Sequence, residues 1–293
     1  MSTEAGDFVV LVDKPEGPTS HDVVDAARRA LRVRRVGHTG TLDPFASGLL
    51  LLCVGRATRL AEYLSGLDKS YEAVARLGIA TDTLDRDGDI VRECPEWVGL
   101  EEERIREVLE GFRGTIAQVP PQFSAKKVEG EAMHRRARRG ESVELQPSQV
   151  TIHEIELVAA TLPEIRFKIR CSTGTYVRAI ARDLGEKLGV GAHLSALRRT
   201  GIGSFRVTDA IHVEALSDGD AVRCAAVGPL AAVRHLPAVE IDDEVARKLV
   251  HGQRVRLPDD PAPGPVAVSH HGVLLAIAEV EDGVLKPRKV FAA

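Results

Sequence analysis

The sequence is poor in aromatic residues. Seven Phe, three Tyr and one Trp make up 4% of 293 residues, too few for a platform that stacks several bases of a single strand. Cysteine is also scarce. Cys53, Cys94, Cys171 and Cys224 stand dozens of residues apart, and no CxxC pair occurs. That spacing excludes a zinc ribbon or a disulfide scaffold and predicts free thiols in a reducing compartment. Long uncharged runs are missing too. The longest, residues 261–278, is broken by Pro263, Gly264, Pro265 and Gly272 and reads as two strands and a turn, not a membrane span. The opening MSTEAGDFVV has no basic segment leading into an apolar one, so no secretory leader is expected and the chain is placed in the cytoplasm.

Cofactor loops are absent as well. No Gly-Lys-Ser/Thr ends a glycine loop, and Gly37, Gly40 and Gly48 lack dinucleotide-loop spacing. The run Asp85-Arg86-Asp87-Gly88-Asp89 starts like a calcium loop, but its glycine comes too early and no Glu closes it. It reads instead as a hairpin turn between a strand over 71–78 and Ile90-Val91. No metal and no cofactor are expected.

What is present is a chain able to bury a sizeable core, with 44% hydrophobic residues, of a size that suits one large domain plus a small one. The formal charge of −4 argues at face value against an anionic partner, but the charge is unevenly placed. Residues 82–110 carry eleven acids against four arginines, whereas 122–140 carry Lys126, Lys127, Arg135, Arg136, Arg138 and Arg139 against two acids. A second basic cluster comprises Arg28, Arg29, Arg32, Arg34 and Arg35. Arginine outnumbers lysine 30 to 9, a bias that a GC-rich genome produces by itself, so a single cluster says little. Two clusters, with the acids segregated elsewhere, look like a phosphate-tracking surface.

Periodicity places the elements. A strand over 7–12 and a Pro/Gly turn precede a helix from Ser20, whose apolar face is Val23, Val24, Ala27 and Leu31. Ile105, Val108, Leu109 and Phe112 mark a surface helix, and Ile165, Phe167, Ile169 and Cys171 alternate with charged residues as a half-buried strand. A further helix carries Val177, Ile180, Leu184 and Leu188 and stops at Gly189. No regular βαβ rhythm appears, so the fold class is α+β with a mixed, largely antiparallel sheet. Beyond Leu236-Pro237, short apolar runs between Gly, Pro and Asp predict a small all-β module. The expected domains are therefore 1–235 and 236–293.

The densest chemical signal is Gly37-His38-Thr39-Gly40-Thr41-Leu42-Asp43-Pro44-Phe45-Ala46-Ser47-Gly48, an irregular loop before an apolar run. It presents one short acid, Asp43, whose directions are limited by the proline that follows. Arg178 stands in the first turn of its helix, where the dipole disfavours a cation by about 0.3–1 kcal/mol. Such a conflict calls for a compensating carboxylate or phosphate. A guanidinium against Asp43 would keep that acid ionised and make it a reactive carboxylate.

The block 37–50 resembles the catalytic loop of the TruB family of tRNA pseudouridine-55 synthases. Four further segments resemble that family in order: Lys14-Pro15-x-Gly17-x-Thr19-Ser20; Tyr71-Glu72-Ala73 through Thr81-Asp82-Thr83-x-Asp85; Cys171-Ser172-Thr173-Gly174-Thr175-Tyr176-Val177-Arg178; and Gly191-Ala192-His193-Leu194 through Leu197-Arg198-Arg199. Together they span 8 to about 206. The resemblance implies a stand-alone isomerase that flips a T-loop uridine of tRNA and rejoins its uracil to the ribose through C5, with no cofactor. It implies that Asp43 is the catalytic carboxylate, attacking either ribose or base, and that Arg178 pairs with it. Tyr71 packs on the uracil and assists C5 proton removal. His38, Tyr176 and Leu197 line the nucleotide pocket, and Lys14 supports its floor. Lys126, Lys127, Arg135, Arg136, Arg138 and Arg139 fall in an insertion, about 121–150, that lies against the T-loop; Phe123 stands there where members usually carry Tyr. The implied partner is the tRNA T-arm, with no membrane, no obligatory protein partner and a monomeric state. The C-terminal residues resemble a small PUA-like RNA-binding module. The rival readings are an RNA-guided isomerase of the ribonucleoprotein type, which lacks the insertion, and a tRNA-binding folding factor.

Overall fold

A computed structural model of the chain describes residues 6–123, 145–257 and 262–291, together with the backbone of 127–128 and 131–132. Its main sheet runs in the order Ile211–His212, Phe8–Lys14, Ser47–Val54, Ala192–Ile202, Lys69–Leu77, Glu164–Cys171, Ser148–Thr161 and Gly114–Gln118. Two of these pairings are parallel, Phe8–Lys14 with Ile211–His212 and Ala192–Ile202 with Ser47–Val54; the others along this path are antiparallel. This is the mixed, largely antiparallel sheet that the sequence predicts.

Strand alternation distributes the core over both faces. Val10, Val12, Leu50, Leu52 and Val54 pack with Val23, Val24 and Ala27 of the Ser20–Leu31 helix. Their neighbours Val9, Leu11, Leu49, Leu51 and Cys53 point the other way, against Leu60 and Leu64. Burial on both sides explains the unbroken apolar run from Leu49 to Val54, since a strand with no wet face carries no polar alternation. In the other half of the sheet, Ala73, Ala75, Ile165, Phe167 and Ile169 receive Ile105 and Leu109 of the Glu102–Glu110 helix and Ile180 and Leu184 of the Val177–Lys187 helix.

A second sheet, Ala238–Glu240, Gly264–His270, Val273–Glu281, Val284–Val290 and Val255–Arg256, has its own core. One helix, Asp243–Val250, packs on it through Ala246 and Leu249, an element that the sequence reading did not place. Ala267, Leu274, Ile277 and Phe291 of this part join the cluster around Leu49 and Leu51, so the two sheets share apolar contacts.

The expected hairpin is corrected in its partner. Ile90–Glu93 pairs with Ile79–Thr81, not with 71–78. Gly78 separates the two segments: its φ is +84°, and a Cβ there would lie 2.2 Å from the Trp97 ring. The chain therefore turns out of the main sheet after Leu77. No helix among the described residues is long and apolar enough to cross a membrane.

Candidate active site

The two halves of the sheet meet at the parallel junction, where only Arg198 with Ser47 and Arg199 with Gly48 are in register. The loop bearing Asp43 enters there, directly before Ser47. Several contacts fix it from below. The Ser20 hydroxyl accepts from the Leu42 amide (2.8 Å) and donates to the Leu42 carbonyl (3.1 Å). The Gly17 amide donates to Pro44 O (2.8 Å), and Ala46 N donates to Asp43 O (3.1 Å).

Lys14 has no exposed surface. Its ammonium donates to the carbonyls of Pro15 (2.7 Å), Pro18 (2.9 Å) and Pro44 (3.5 Å), tying strand, turn and loop together. Burial lowers its pKa to about 8, against the opposing pull of Asp43.

Arg199, 1% exposed, braces the other side. It donates to Leu49 O (2.7 Å), Gly40 O (3.1 Å) and Thr41 O (3.4 Å). Gly48 makes this junction possible: its φ is +107°, and a Cβ there would lie 2.3 Å from Arg199 O. Gly48→Ala must therefore strain the backbone and part the two strands. We expect a loss of about 3 kcal/mol or more, seen in thermal melts as a drop of about 6 °C or more; an unchanged melting temperature would contradict this geometry.

Above the loop lies a cavity of about 320 Å³, at the small end for ligand sites. Asp43, Tyr71, Tyr176, Arg178 and Leu197 all contribute to its walls, with Thr39, Lys69 and Arg199 beside them. Five of the residues expected from sequence are thus brought together from segments far apart in the chain. His38 and Lys14 do not line the cavity; they sit beside and beneath it. His38 Nδ1 accepts from the Gly40 amide (3.3 Å), which orders the loop. The side chains of Lys126, Lys127, Arg135, Arg136, Arg138 and Arg139 lie outside the described residues.

Arg178 is the hub. Its side chain is 5% exposed and its Nε lies 2.9 Å from Asp43 Oδ2, an ion pair without hydrogen-bond alignment. Nη1 donates to Thr83 O (2.7 Å) and Asp85 Oδ2 (3.2 Å), and Nη2 donates to Phe123 O (2.9 Å). The cation at a helix start is thus offset by two carboxylates, one more than the sequence reading expected. Asp85 is itself buried, and its other oxygen accepts from the Thr83 hydroxyl (2.6 Å) and the Asp87 amide (3.2 Å). Its carboxylate is thereby committed to the turn and to Arg178, as a hairpin reading of 82–89 requires.

The ion pair expected between Arg178 and Asp43 is present, and Arg178 favours the ionised acid against the effect of burial. Burial raises Asp43 above the ordinary value; Arg178 opposes that rise and Asp85 adds to it. Burial likewise raises Tyr71, with Arg199 acting the other way. At neutral pH Tyr71 presents a phenol, suited to packing on a base; accepting a C5 proton would require it to ionise first. Gln118 fixes Tyr176 by exchanging two hydrogen bonds with its backbone (2.9 and 3.1 Å). The hydroxyl of Thr39, a residue 4% exposed, has no partner among the described residues and is open to a bound polar group.

Lys69, buried and with its pKa lowered to about 8 by burial, donates to Ser65 O and Leu67 O, both at 2.6 Å. Lys14, Lys69, Arg178 and Arg199 outnumber Asp43 and Asp85 around the cavity, four cations to two carboxylates, a balance that favours an anionic ligand. Lys69, Arg199, Asp85 and Thr39 were not singled out as site residues by sequence. The motifs Leu197-Arg198-Arg199 and Thr81-Asp82-Thr83-x-Asp85 contain two of them, Arg199 and Asp85, but nothing in a motif says which member turns inward.

Comparison with known proteins agrees with this geometry. Residues 28–177 match the family model "TruB family pseudouridylate synthase (N terminal domain)", 178–226 match "tRNA pseudouridylate synthase B C-terminal domain", and 237–291 match "Pseudouridine synthase II TruB, C-terminal". The chain is similar to tRNA pseudouridine synthase B of Azoarcus sp. strain BH72, 43% identical over 98% of this chain and 95% of the relative. Its counterpart in Burkholderia pseudomallei strain 668 is 42% identical over 99% and 98%. Among solved structures it resembles a chain of an H/ACA ribonucleoprotein bound to a substrate RNA containing 2′-deoxyuridine, with a TM-score of 0.75 and 27% identity over 98% of this chain and 85% of that one. A chain of the archaeal box H/ACA Nop10–Cbf5 complex matches with a TM-score of 0.73 and 26% identity over 97% and 86%. Five ordered motifs, a cavity lined by side chains from four of them and matches along almost the whole length lead to one assignment: the chain belongs to the TruB family of pseudouridine synthases.

Proposed function

We propose that this protein isomerises uridine 55 in the T-loop of tRNA to pseudouridine, acting alone in the cytoplasm as a monomer and without a cofactor. The observation that carries the reading is the Asp43–Arg178–Asp85 cluster at a cavity sized for a single nucleoside, in a chain similar over its whole length to proteins named tRNA pseudouridine synthase B. The target base leaves its stack, at a cost of a few kcal/mol, and enters beside Tyr71 and Leu197. The ionised Asp43 carboxylate attacks the nucleotide at ribose C1′ or uracil C6. The C1′–N1 bond breaks, the uracil turns, C5 bonds to C1′, the bond from Asp43 to C1′ or C6 breaks and returns the carboxylate, and the C5 proton leaves while N1 takes one up. Atoms balance without oxidant, phosphoryl donor or metal. Tritium release from C5-labelled uridine in a T-arm hairpin tests the reading; no release from the hairpin or from whole tRNA would sink it.

The reading divides the chain into a catalytic part, 1–235, and an RNA-binding module, 236–293, with the insertion at about 121–150 against the T-loop. Contacts to RNA phosphates offset base flipping, so binding should weaken with salt, log K falling about 0.7–0.9 per phosphate neutralised. Reversing Arg135, Arg136, Arg138 and Arg139 to Glu should weaken tRNA binding and flatten that slope. A slope equal to wild type would make the basic run a solvated face.

A further inference from the structure

Asp243, His270 and His271 place one carboxylate oxygen and two imidazole nitrogens within 4.8 Å of one another, in the second sheet and away from the cavity. His270 Nε2 lies 2.8 Å and His271 Nε2 3.3 Å from the same Asp243 Oδ1. The two rings approach to 4.0 Å at a tilt of 47°. At metal–ligand distances near 2.0–2.2 Å, the His271–Asp243 separation is that of neighbouring tetrahedral ligands, and the His270–Asp243 hydrogen bond opens by roughly half an ångström to admit an ion.

Two features of the chain favour a ligand over a chance contact. First, Asp243 is not needed as a helix cap, because Asp242 already accepts from the Val245 amide (2.9 Å). Second, His271 and Gly272 form the two-residue turn between Gly264–His270 and Val273–Glu281, with φ of +51° and +72°. Such turns favour Asn-Gly, because the first position needs a left-handed residue. Histidine there accepts backbone strain, and what it gains is an imidazole aimed at Asp243. The two elements are held together, since Ile241 N donates to Ser269 O (3.0 Å) just before them.

We propose that Asp243, His270 and His271 form a surface site for a divalent transition-metal ion, with zinc as the type case. Two imidazoles and one carboxylate suit zinc, cobalt or nickel and not magnesium or calcium, which take oxygen ligands. On binding, each Nε2 gives its lone pair to the metal, and the ring proton resides on Nδ1. Water completes the shell. The ion clips the hairpin turn to the Asp243–Val250 helix.

The test uses the full chain after alkylation of accessible thiols, with Cys224 exposed, to remove competing sulfur ligands. Equilibrium dialysis against Zn²⁺, with Co²⁺ absorption as a second readout, is compared between wild type and His270→Gln/His271→Asn. Asn at 271 retains the left-handed turn, and Asp243→Asn, at an exposed position, serves as a second variant. We expect one equivalent bound by wild type, at least about tenfold weaker binding in each variant, a zinc-dependent rise in melting temperature in wild type only, and no competition from millimolar Mg²⁺. Equal binding by wild type and both variants, or displacement by Mg²⁺, would overturn the site. Neither result bears on the isomerase reading, because the assay contains no RNA.

Discussion

Asp43→Asn should abolish isomerisation while leaving tRNA binding and folding intact. The amide has the shape of the carboxylate but no charge to donate to ribose or base, so the rate should fall by about three orders of magnitude or more. Stability should hold or rise. Asp43 is one of two carboxylates around a buried guanidinium, and burial raises its pKa above the unfolded value of 3.8. A carboxyl raised in this way opposes folding once it ionises, so its contribution worsens as pH climbs from that value through the folded pKa. The Asn variant escapes this cost and leaves a balanced Arg178–Asp85 pair. Tritium release, filter binding and a thermal melt check the three parts. Turnover within a few-fold of wild type would remove Asp43 from the chemistry.

Arg178→Met should do the opposite to stability. It strips the shared cation from Asp43 and Asp85 and frees the carbonyls of Thr83 and Phe123. Breaking a buried pair costs about 3–5 kcal/mol, and here two acids lose their partner. The pH dependence carries the sign. On the proposed mechanism activity needs ionised Asp43, so in wild type it should fail as pH falls through a pKa that burial holds above its ordinary value. Removing Arg178 takes away a lowering influence and leaves the raising influence of Asp85, so the acid limb of any residual activity should move to higher pH. Asp85→Asn should shift it to lower pH. Pairing Arg178→Met with Asp85→Asn should restore part of the lost stability but not the rate. A single Arg178→Met variant that melts like wild type, with an unmoved acid limb, would contradict the hub role of this residue.

Much of this site was legible in the chain. Asp43 was conspicuous because glycines and a proline surround one short acid, and Arg178 because it sits where a helix dipole repels it. The strand 164–171 is legible through its alternation, whereas 192–202 is legible as a motif and not as a strand. What the sequence did not reveal depends on distant partners. Asp85 meets Arg178 across 93 positions, and Arg199 is one arginine among thirty until its three carbonyl acceptors converge. Lys14 reads as a turn lysine, yet Pro15, Pro18 and Pro44 close over its ammonium. The burial of Asp43 is hidden for a similar reason: its pairing with Arg178 follows from residue types, but the burial that raises its pKa does not. Net charge is a poor guide for a related reason, because −4 averages over an acidic segment and a cavity lined by Lys69, Arg178 and Arg199.

The central claim is tested most directly by incubating an unmodified tRNA transcript with the full-length protein alone and mapping pseudouridine along it. The account predicts a single pseudouridine, at position 55, formed with one C5 hydrogen released per tRNA and absent with Asp43→Asn. Pseudouridine only at other positions, or none unless a guide RNA or protein partner is added, would contradict it.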